Sequence, residues 1–267
     1  MADSPRTTHC RGSAFLERNH NTHSRAETGS ILNPVHHMTI RVFIICCHTT
    51  PHTKGGVLAE AITGALERVG IAYRLSDLAA SRFNPIAGPL DFLPTLPFQP
   101  SYRASQKLAV RCDGFATDIR IEQDNLMWAD HVVFIFPIWF FGMPAVLKGW
   151  VERVLARGFA YGGTMEYGTG GMAGKTVHAL ITAAADRDDY TEYGKHIPLD
   201  LLLQACFDLP MRYVGFELGV REVLCAVEKD TADDFALRAK HEAQKLAVLI
   251  SLNTRGRKHT NGSPSQG

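Results

Sequence analysis

Five consecutive apolar residues at 132–136, Val-Val-Phe-Ile-Phe, constrain the fold of this chain more than any other segment. Because apolar and polar residues do not alternate, we expect a strand with both faces buried, as in the parallel sheets of α/β proteins. Pro137 lacks the N–H that a strand interior needs, so the strand should end there. Leu147, Trp150 and Val154 then recur at helical spacing. The segment therefore predicts a strand, a loop and a helix of an α/β domain.

The predicted loop carries three consecutive aromatic residues, Trp139, Phe140 and Phe141, followed by Gly142. In open α/β sheets, ligands bind in the crevice beyond the carboxyl ends of the strands. A flat, apolar ligand would suit this loop, but packing in the core or at a subunit interface would explain the same residues about as well. The residue types alone leave both interpretations open.

The longer string around this loop favours the ligand. Residues 136–154 read FPIWFFGMPAVLKGWVERV, and residues 158–162 read GFAYG. This string closely resembles the flavin-facing segment of the NAD(P)H:quinone oxidoreductases, which are flavodoxin-like flavoproteins. The resemblance covers about residues 39–225. It implies a bound flavin, NAD(P)H as co-substrate, and a homodimer, since in this family the pocket forms between two subunits.

The resemblance also implies which residues surround the flavin ring. Along the ring it places Pro137, Ile138, Trp139, Phe140 and Phe141. On the substrate side it places Phe140, Phe141 and Tyr161.

Four further segments have the composition of strands. They are residues 39–47, which are rich in β-branched residues, 71–75, 176–182, and 220–227, where charged residues indicate an edge strand. Helical patterns separate them, which predicts an α/β fold with a doubly wound, five-stranded parallel sheet and helices on both faces. The flavodoxin-like order 2-1-3-4-5 would place the ligand at the switch point between the first and third strands.

The loop after the first strand has the composition of a phosphate cradle. Residues 48–56 read HTTPHTKGG, and a helical pattern follows. Backbone N–H groups at a helix N-terminus bind anions, and glycine allows a close approach. The loop resembles the family's A-H-S-x-x-T-S loop, which holds the flavin pyrophosphate and implies contacts from His48, His52 and Thr53. Lys54 and Gly55 depart from the aromatic–Asn pair that usually comes next.

Residues 83–128 form a longer connection than α/β folds usually contain. The string FNPI begins it, and DIRIEQ at 118–123 lies near its end. Both strings resemble the family insertion that helps to enclose the adenine half of FAD and to build the dimer. The insertion therefore favours FAD, with FMN as the alternative.

Two more motifs follow the fourth strand. Where the family commonly has Thr-Thr-Gly-Gly against the flavin ring, this chain has Thr182, Ala183, Ala184 and Ala185, of which Thr182 matches. The spacing Tyr190-x-x-x-Gly194-x-His196 then resembles the family's Tyr and His beside the flavin and the quinone. The resemblance makes Tyr190 and His196 the catalytic residues, in accord with the ability of tyrosine and histidine to donate and accept protons.

Composition excludes several other classes of function. The net charge is +1, which produces no field that would attract nucleic acid or an anionic membrane. It also differs from the acidic surface expected of a flavodoxin-like electron carrier. No apolar run approaches the roughly 18 residues of a membrane span. The six cysteines have no metal-site spacing, so we expect no metal, buried free thiols and a cytoplasmic location.

These patterns predict three regions: a disordered extension at 1–37, a flavin-binding domain at 38–252 and a disordered tail at 253–267. The predicted activity is two-electron hydride transfer from NAD(P)H through FAD to quinones, with azo or nitro compounds as further acceptors. The alternatives are a flavin-binding regulatory subunit of a potassium-efflux transporter and a flavodoxin-like electron carrier. The long insertion argues against the first alternative, and the Tyr190/His196 pair argues against the second.

Overall fold

The computed structural model describes residues 40–47 and 53–256, with side chains up to Leu252. These residues form a sheet of five parallel strands in the order β2-β1-β3-β4-β5. The strands are β1 (Arg41–Cys46), β2 (Ala72–Asp77), β3 (His131–Pro137), β4 (Thr176–Thr182) and β5 (Glu217–Leu224). The predicted fold class and strand order are confirmed. The predicted extension at 1–37 and residues 257–267 of the predicted tail at 253–267 lie outside the described residues, whereas residues 253–256 of that tail belong to a helix.

Helices cover both faces of the sheet. They are α1 (Lys54–Arg68), α2 (Tyr102–Cys112), α3 (Thr117–Trp128), α4 (Ala145–Val154), α5 (Leu199–Leu203), α6 (Leu209–Tyr213) and α7 (Ala232–Gly256). Helices α1 and α7 pack on one face, around Leu58, Ile62 and Phe235. On the other face, Trp150 of α4 and Phe207, between α5 and α6, pack against Phe134.

Burial on both faces explains the uninterrupted apolar runs. Every residue of β4 is buried, and β3 is buried from His131 to Phe136. Alternate residues of β3 enter opposite cores: Phe134 packs with α4, whereas Val133 and Ile135 pack on the side of α1 and α7. A central parallel strand has no solvent face, so no polar residue needs to alternate with the apolar ones.

Some elements differ from the predictions in their bounds. Strand β5 begins at Glu217, three residues before the predicted start, and runs along one edge of the sheet. The apolar segment after β4 forms not one regular helix but α5, a π-helical turn at Gln204–Asp208, and α6. Helix α7 continues to Gly256, because no proline or glycine interrupts it before that residue.

A buried ion pair holds the insertion at 83–128 on helix α4. Arg153 is 1% exposed, and its Nε donates to Oδ1 of Asp91, which is 0% exposed, at 2.8 Å. Its Nη1 donates to Asp118 Oδ2 at 2.9 Å and to the carbonyl oxygen of Asn84 at 2.6 Å. A buried and unpaired charge at Arg153 would lower the stability of the fold. The three hydrogen-bonded partners of Arg153 therefore couple α4 to three points of the insertion.

Candidate active site

The candidate site lies at the carboxyl edge of the sheet, where the strand order reverses at β1. The segments that follow β3 and β4 reach this edge, and ligands of open α/β sheets bind there. The β1 loop contains His48 and His52, which lie outside the described residues. Thr53 is described: it caps the N-terminus of α1 by accepting a hydrogen bond from the Gly56 N–H at 3.5 Å. No acidic residue lies in the first turn of α1.

A tight two-residue turn follows β3. The N–H of Trp139 donates to the carbonyl of Gly142 at 3.0 Å, and the N–H of Gly142 donates to the carbonyl of Trp139 at 2.9 Å. Phe140 and Phe141 between them have φ of 45° and 59°. Two left-handed residues in a two-residue loop are typical of a type I′ turn, in which Asn and Gly are preferred. Bulky aromatic residues in this conformation are strained.

The aromatic side chains of this turn are exposed to solvent. Phe140 is fully exposed, and Trp139 and Phe141 are about half exposed. Since strained backbone persists where the surrounding structure enforces it, and concentrates at functional sites, this turn makes the edge a candidate ligand site. The loop predicted from the sequence is thus present and open to solvent.

The exit from β4 lies beside this turn. Pro137 is in register with Thr182, and the N–H of Ile138 donates to the Thr182 carbonyl at 2.8 Å. Ala183 then donates to the carbonyl of Leu224 at 2.9 Å. The two predicted ring-contacting segments are therefore neighbours. Within the described part of the chain, no acceptor pairs with the backbone N–H groups of these four residues: Phe140, Phe141, Ala184 and Ala185.

The predicted catalytic pair comes together with the aromatic turn. The ring centroid of His196 lies 5.1 Å from that of Tyr190 and 5.3 Å from that of Phe141. The contact with Phe141 is nearly edge to face, at 68°. His196, in the loop after β4, therefore contacts the turn after β3, a segment far from it in sequence.

Tyr190 is largely buried, with 8% of its surface exposed. Burial raises the pKa of its hydroxyl above the ordinary tyrosine value, and the nearby Cys225 thiol and Asp189 carboxylate raise this pKa further. The hydroxyl therefore stays protonated at neutral pH and can donate a hydrogen bond to an oxyanion.

Hydrogen bonds to strand β5, to the residue Ala226 beyond it, and within the loop itself hold the loop that follows β4. Nη2 of Arg187 donates to the carbonyl of Val223 at 3.1 Å, and the N–H of Ala226 donates to the carbonyl of Ala185 at 2.9 Å. The N–H of His196 donates to the carbonyl of Asp189 at 2.7 Å. Arg187 and Asp189 are not among the predicted site residues. No sequence pattern would have revealed them, because the acceptors in these hydrogen bonds are backbone carbonyls, which every residue carries.

Tyr161 lies in a different cluster. Among the described residues its ring contacts that of Tyr213, with centroids 5.6 Å apart, and Tyr213 also contacts Tyr167 at 5.7 Å. Tyr161 and Tyr213 line a cavity of about 340 Å³. Tyr102 of helix α2 and Val151 of helix α4 also line this cavity. Within one chain the structure thus brings together Phe141, Tyr190 and His196, whereas Tyr161 belongs to this cavity.

The residues at the carboxyl edge fit a flavin. Exposed aromatic faces can stack against a flat ring. The N–H groups of Phe140, Phe141, Ala184 and Ala185 can donate to the ring's carbonyl oxygens and nitrogens. The small side chains after Thr182 permit a close approach, although alanine lacks the backbone freedom of glycine. In the described ranges, no cluster of three or more His, Cys, Asp or Glu side chains could hold a metal ion, and none of the described helices is long and apolar enough to span a membrane.

Comparisons with known proteins agree with this geometry. A family model described as a flavodoxin-like fold matches residues 40–247. Human ribosyldihydronicotinamide dehydrogenase [quinone] is 34% identical over 190 residues, which cover 70% of this chain and 82% of that protein. The NAD(P)H dehydrogenase [quinone] 1 of Cavia porcellus is 33% identical over 180 residues, or 67% of this chain and 66% of that protein. The chain thus spans about two thirds of this second relative's length.

Among solved structures, a Klebsiella pneumoniae protein described as a quinone reductase superimposes with a TM-score of 0.73 at 32% identity. The superposition covers 79% of this chain and 85% of that one.

Proposed function

This chain belongs to the flavodoxin-like fold family, and from that membership we propose that it is a flavin-dependent NAD(P)H:quinone oxidoreductase. The observation that carries the proposal is the contact of His196 with both Tyr190 and Phe141, at the edge of the sheet where this fold binds ligands. The names of the relatives, which are quinone and ribosyldihydronicotinamide dehydrogenases, support the same activity.

The bound flavin would supply the redox chemistry, accepting a hydride from the nicotinamide and passing it to the quinone in a second step. The protein's part is to place the ring. Pro137, Ile138 and Trp139 would lie along it, and the small residues after Thr182 would allow it to approach the backbone. The N–H groups of Phe140, Phe141, Ala184 and Ala185 would donate to its polar atoms. These donors are held by β3, β4 and β5, so they need little reorganisation.

The phosphate end of the flavin would lie at the N-terminus of α1. There the helix macrodipole favours a negative charge, and no acidic side chain in the first turn opposes it. Thr53 begins the helix, and His48 and His52 precede it. We propose FAD rather than FMN, because the insertion at 83–128 adds surface near the adenine end in the family.

Tyr190 and His196 would act on the quinone. The protonated Tyr190 hydroxyl would donate a hydrogen bond to a quinone oxygen as it becomes anionic. Histidine exchanges protons near neutral pH, so His196 would deliver a proton to the reduced product. Phe141 contacts the His196 ring, which limits the positions open to the imidazole.

Phe140, Phe141 and Tyr161 would line the substrate side, and a second subunit would complete it. Within one chain Tyr161 contacts Tyr213 rather than the aromatic turn, so in a homodimer the partner could supply it. The insertion exposes large apolar side chains that such a dimer would bury: Ile86 is 73% exposed, Leu90 80% and Phe98 49%. Side chains this exposed commonly belong to an interaction surface when they cluster.

The two alternative functions are not favoured. The relatives and the structural neighbour are named as dehydrogenases and reductases, and none of those reported above is named as a transporter subunit or an electron carrier. We also propose a cytoplasmic location and no nucleic-acid partner. The five cysteines of the described residues are free thiols, as is usual in a reducing compartment.

The test is to purify the full chain, release any cofactor by heat and identify it by chromatography. The protein is then reconstituted with FAD or FMN, and menadione reduction is measured with NADH, NADPH and a ribosyldihydronicotinamide. We expect tight FAD binding and saturable menadione reduction. Release of FMN would correct the cofactor assignment, and a chain that takes up neither flavin would refute the proposed function.

A further inference from the structure

The segment between Tyr190 and His196 closes into a compact turn. The N–H of Gly194 donates to the carbonyl of Thr191 at 3.1 Å. Two residues later, the N–H of His196 donates to the carbonyl of Asp189 at 2.7 Å. The carbonyl that holds His196 therefore belongs to the residue just before Tyr190. This arrangement fixes how far apart the two rings lie.

No side chain fits at residue 194 in this turn. A Cβ added to Gly194 would lie 2.4 Å from the carbonyl oxygens of both Asp188 and Asp189. Real Cβ atoms essentially never approach a heavy atom within 3.0 Å, and both neighbours are backbone, which cannot rotate away. Gly194 is not among the left-handed residues. The turn thus requires glycine for space and not for backbone conformation.

The ion pair across this turn is too weak to hold it. Lys195 pairs with the Asp189 carboxylate at 3.2 Å, but the lysine side chain is 79% exposed. Ion pairs this exposed contribute little. The position of His196 therefore depends on the Asp189 carbonyl and on the close approach that Gly194 permits.

We propose that Gly194 is a positioning residue for the reaction: it lets the loop close onto the Asp188 and Asp189 carbonyls and so holds His196 between Tyr190 and Phe141. A side chain at 194 would push away the carbonyl that His196 bonds to, and the imidazole would leave its place between the two rings. The inference rests on the proposed function, in which His196 delivers a proton to the quinone.

The test compares Gly194→Ala with Gly168→Ala in the full-length, flavin-loaded protein. Gly168 is a matched control, because it is exposed, is not left-handed, and has open space around its added Cβ. We expect Gly194→Ala to lower kcat for menadione about 10-fold or more, since acid–base groups contribute about 100-fold or more, with flavin affinity unchanged. Gly168→Ala should leave kcat unchanged.

A double-mutant cycle separates positioning from a general structural defect. If Gly194 acts through His196, Gly194→Ala should cost nothing further in a His196→Ala background. An equal loss of rate in both backgrounds would overturn the proposal.

Two readouts do not depend on activity. In the wild-type protein, the ring protons of His196, assigned with the His196→Ala variant, should show ring-current shifts from Tyr190 and Phe141. These shifts should change in Gly194→Ala and not in Gly168→Ala. If they change while the wild type reduces no quinone, the positioning is correct and the proposed function is wrong. If Gly194→Ala does not fold, hydrogen exchange of the His196 backbone amide is measured in the wild-type protein instead. Slow exchange supports the proposal, and exchange as fast as in an unstructured chain overturns it.

Discussion

The imidazole of His178 accepts a hydrogen bond from the main-chain N–H of Val220 at 3.0 Å. A side chain of β4 thus provides an acceptor to β5 at the point where the register between the two strands shifts, between Val177 and Ala179. Because Nδ1 is the acceptor, the proton lies on Nε2, which donates to Nδ1 of His131 at 3.1 Å. A Cβ at Gly219 would lie 2.3 Å from this imidazole, so glycine makes the arrangement possible.

This relationship predicts a loss of stability in acid. Burial and the adjacent His131 lower the pKa of His178 to about 3 in the folded protein. The unfolded value is near 6.5, so the stability that this neutral histidine contributes is complete above about pH 6.5 and is lost as the pH falls toward 3. By about pH 5 the loss should be on the order of 2 kcal/mol.

His178→Gln removes this titration. Urea unfolding at a series of pH values should show a lower free energy of unfolding for the variant near neutral pH and a shallower decline below about pH 6.5. A decline as steep as that of the wild type would mean that His178 does not cause the acid sensitivity.

The buried Arg153–Asp91 pair should dominate the stability of the insertion. Removing one partner of a buried ion pair costs about 3–5 kcal/mol, because the other charge stays buried and unpaired. Arg153→Met should therefore lower the free energy of unfolding by about that amount and expose residues 83–128 to limited proteolysis. Lys148→Ala, which removes the exposed pair with Glu152, should cost less than about 1 kcal/mol. Equal effects of the two variants would contradict this account.

The strained aromatic turn should lower the stability of the flavin-free protein and strengthen its binding of flavin. Phe140 is fully exposed and left-handed, so Phe140→Asn loses no buried surface and gains a residue that tolerates this backbone. The flavin-free variant should be about 1 kcal/mol more stable than the wild type, yet bind flavin more weakly. Thermal unfolding and flavin titration measure the two effects.

Arg82→Asn is the control for this prediction, because Arg82 is exposed and has a similar φ of 52° outside the site. It should gain stability without any change in flavin affinity. A Phe140→Asn protein that is less stable than the wild type would show that the turn is not strained.

The proposed dimer predicts that a charge at Leu90 separates the subunits. Leu90→Asp should shift sedimentation toward the monomer and weaken quinone reduction, because Tyr161 would no longer reach a partner's pocket. Leu237 on α7 is similarly exposed, at 71%, and Leu237→Asp should leave the assembly intact. A monomeric wild-type protein would refute the dimer, and a dimeric Leu90→Asp protein would place the interface elsewhere.

The sequence predicted β1, β3 and β4 because each is an apolar run, a local signal that burial on both faces enforces. The edge strands β2 and β5 are less buried, so their local signal is weaker. The sequence did not predict the start of β5, because Gly219 weakens the strand pattern and the compensating contact comes from His178, 41 positions earlier. The left-handed backbone of Phe140 and Phe141 contradicts local preference, so only the tertiary structure reveals it. The pairing of Tyr190 with His196 was implied by the family resemblance, whereas the packing of Phe141 against His196 depends on the neighbouring ends of β3 and β4.

Anaerobic stopped-flow mixing tests the central proposal most directly. Flavin-loaded protein is mixed first with NADPH and then with menadione, while the visible absorbance of the flavin is followed. The account predicts that NADPH removes this absorbance, that menadione restores it, and that His196→Ala slows the second step about 100-fold while retaining the flavin. A flavin that NADPH does not reduce, or a reduced flavin that menadione does not reoxidise, would contradict the assignment as a quinone reductase.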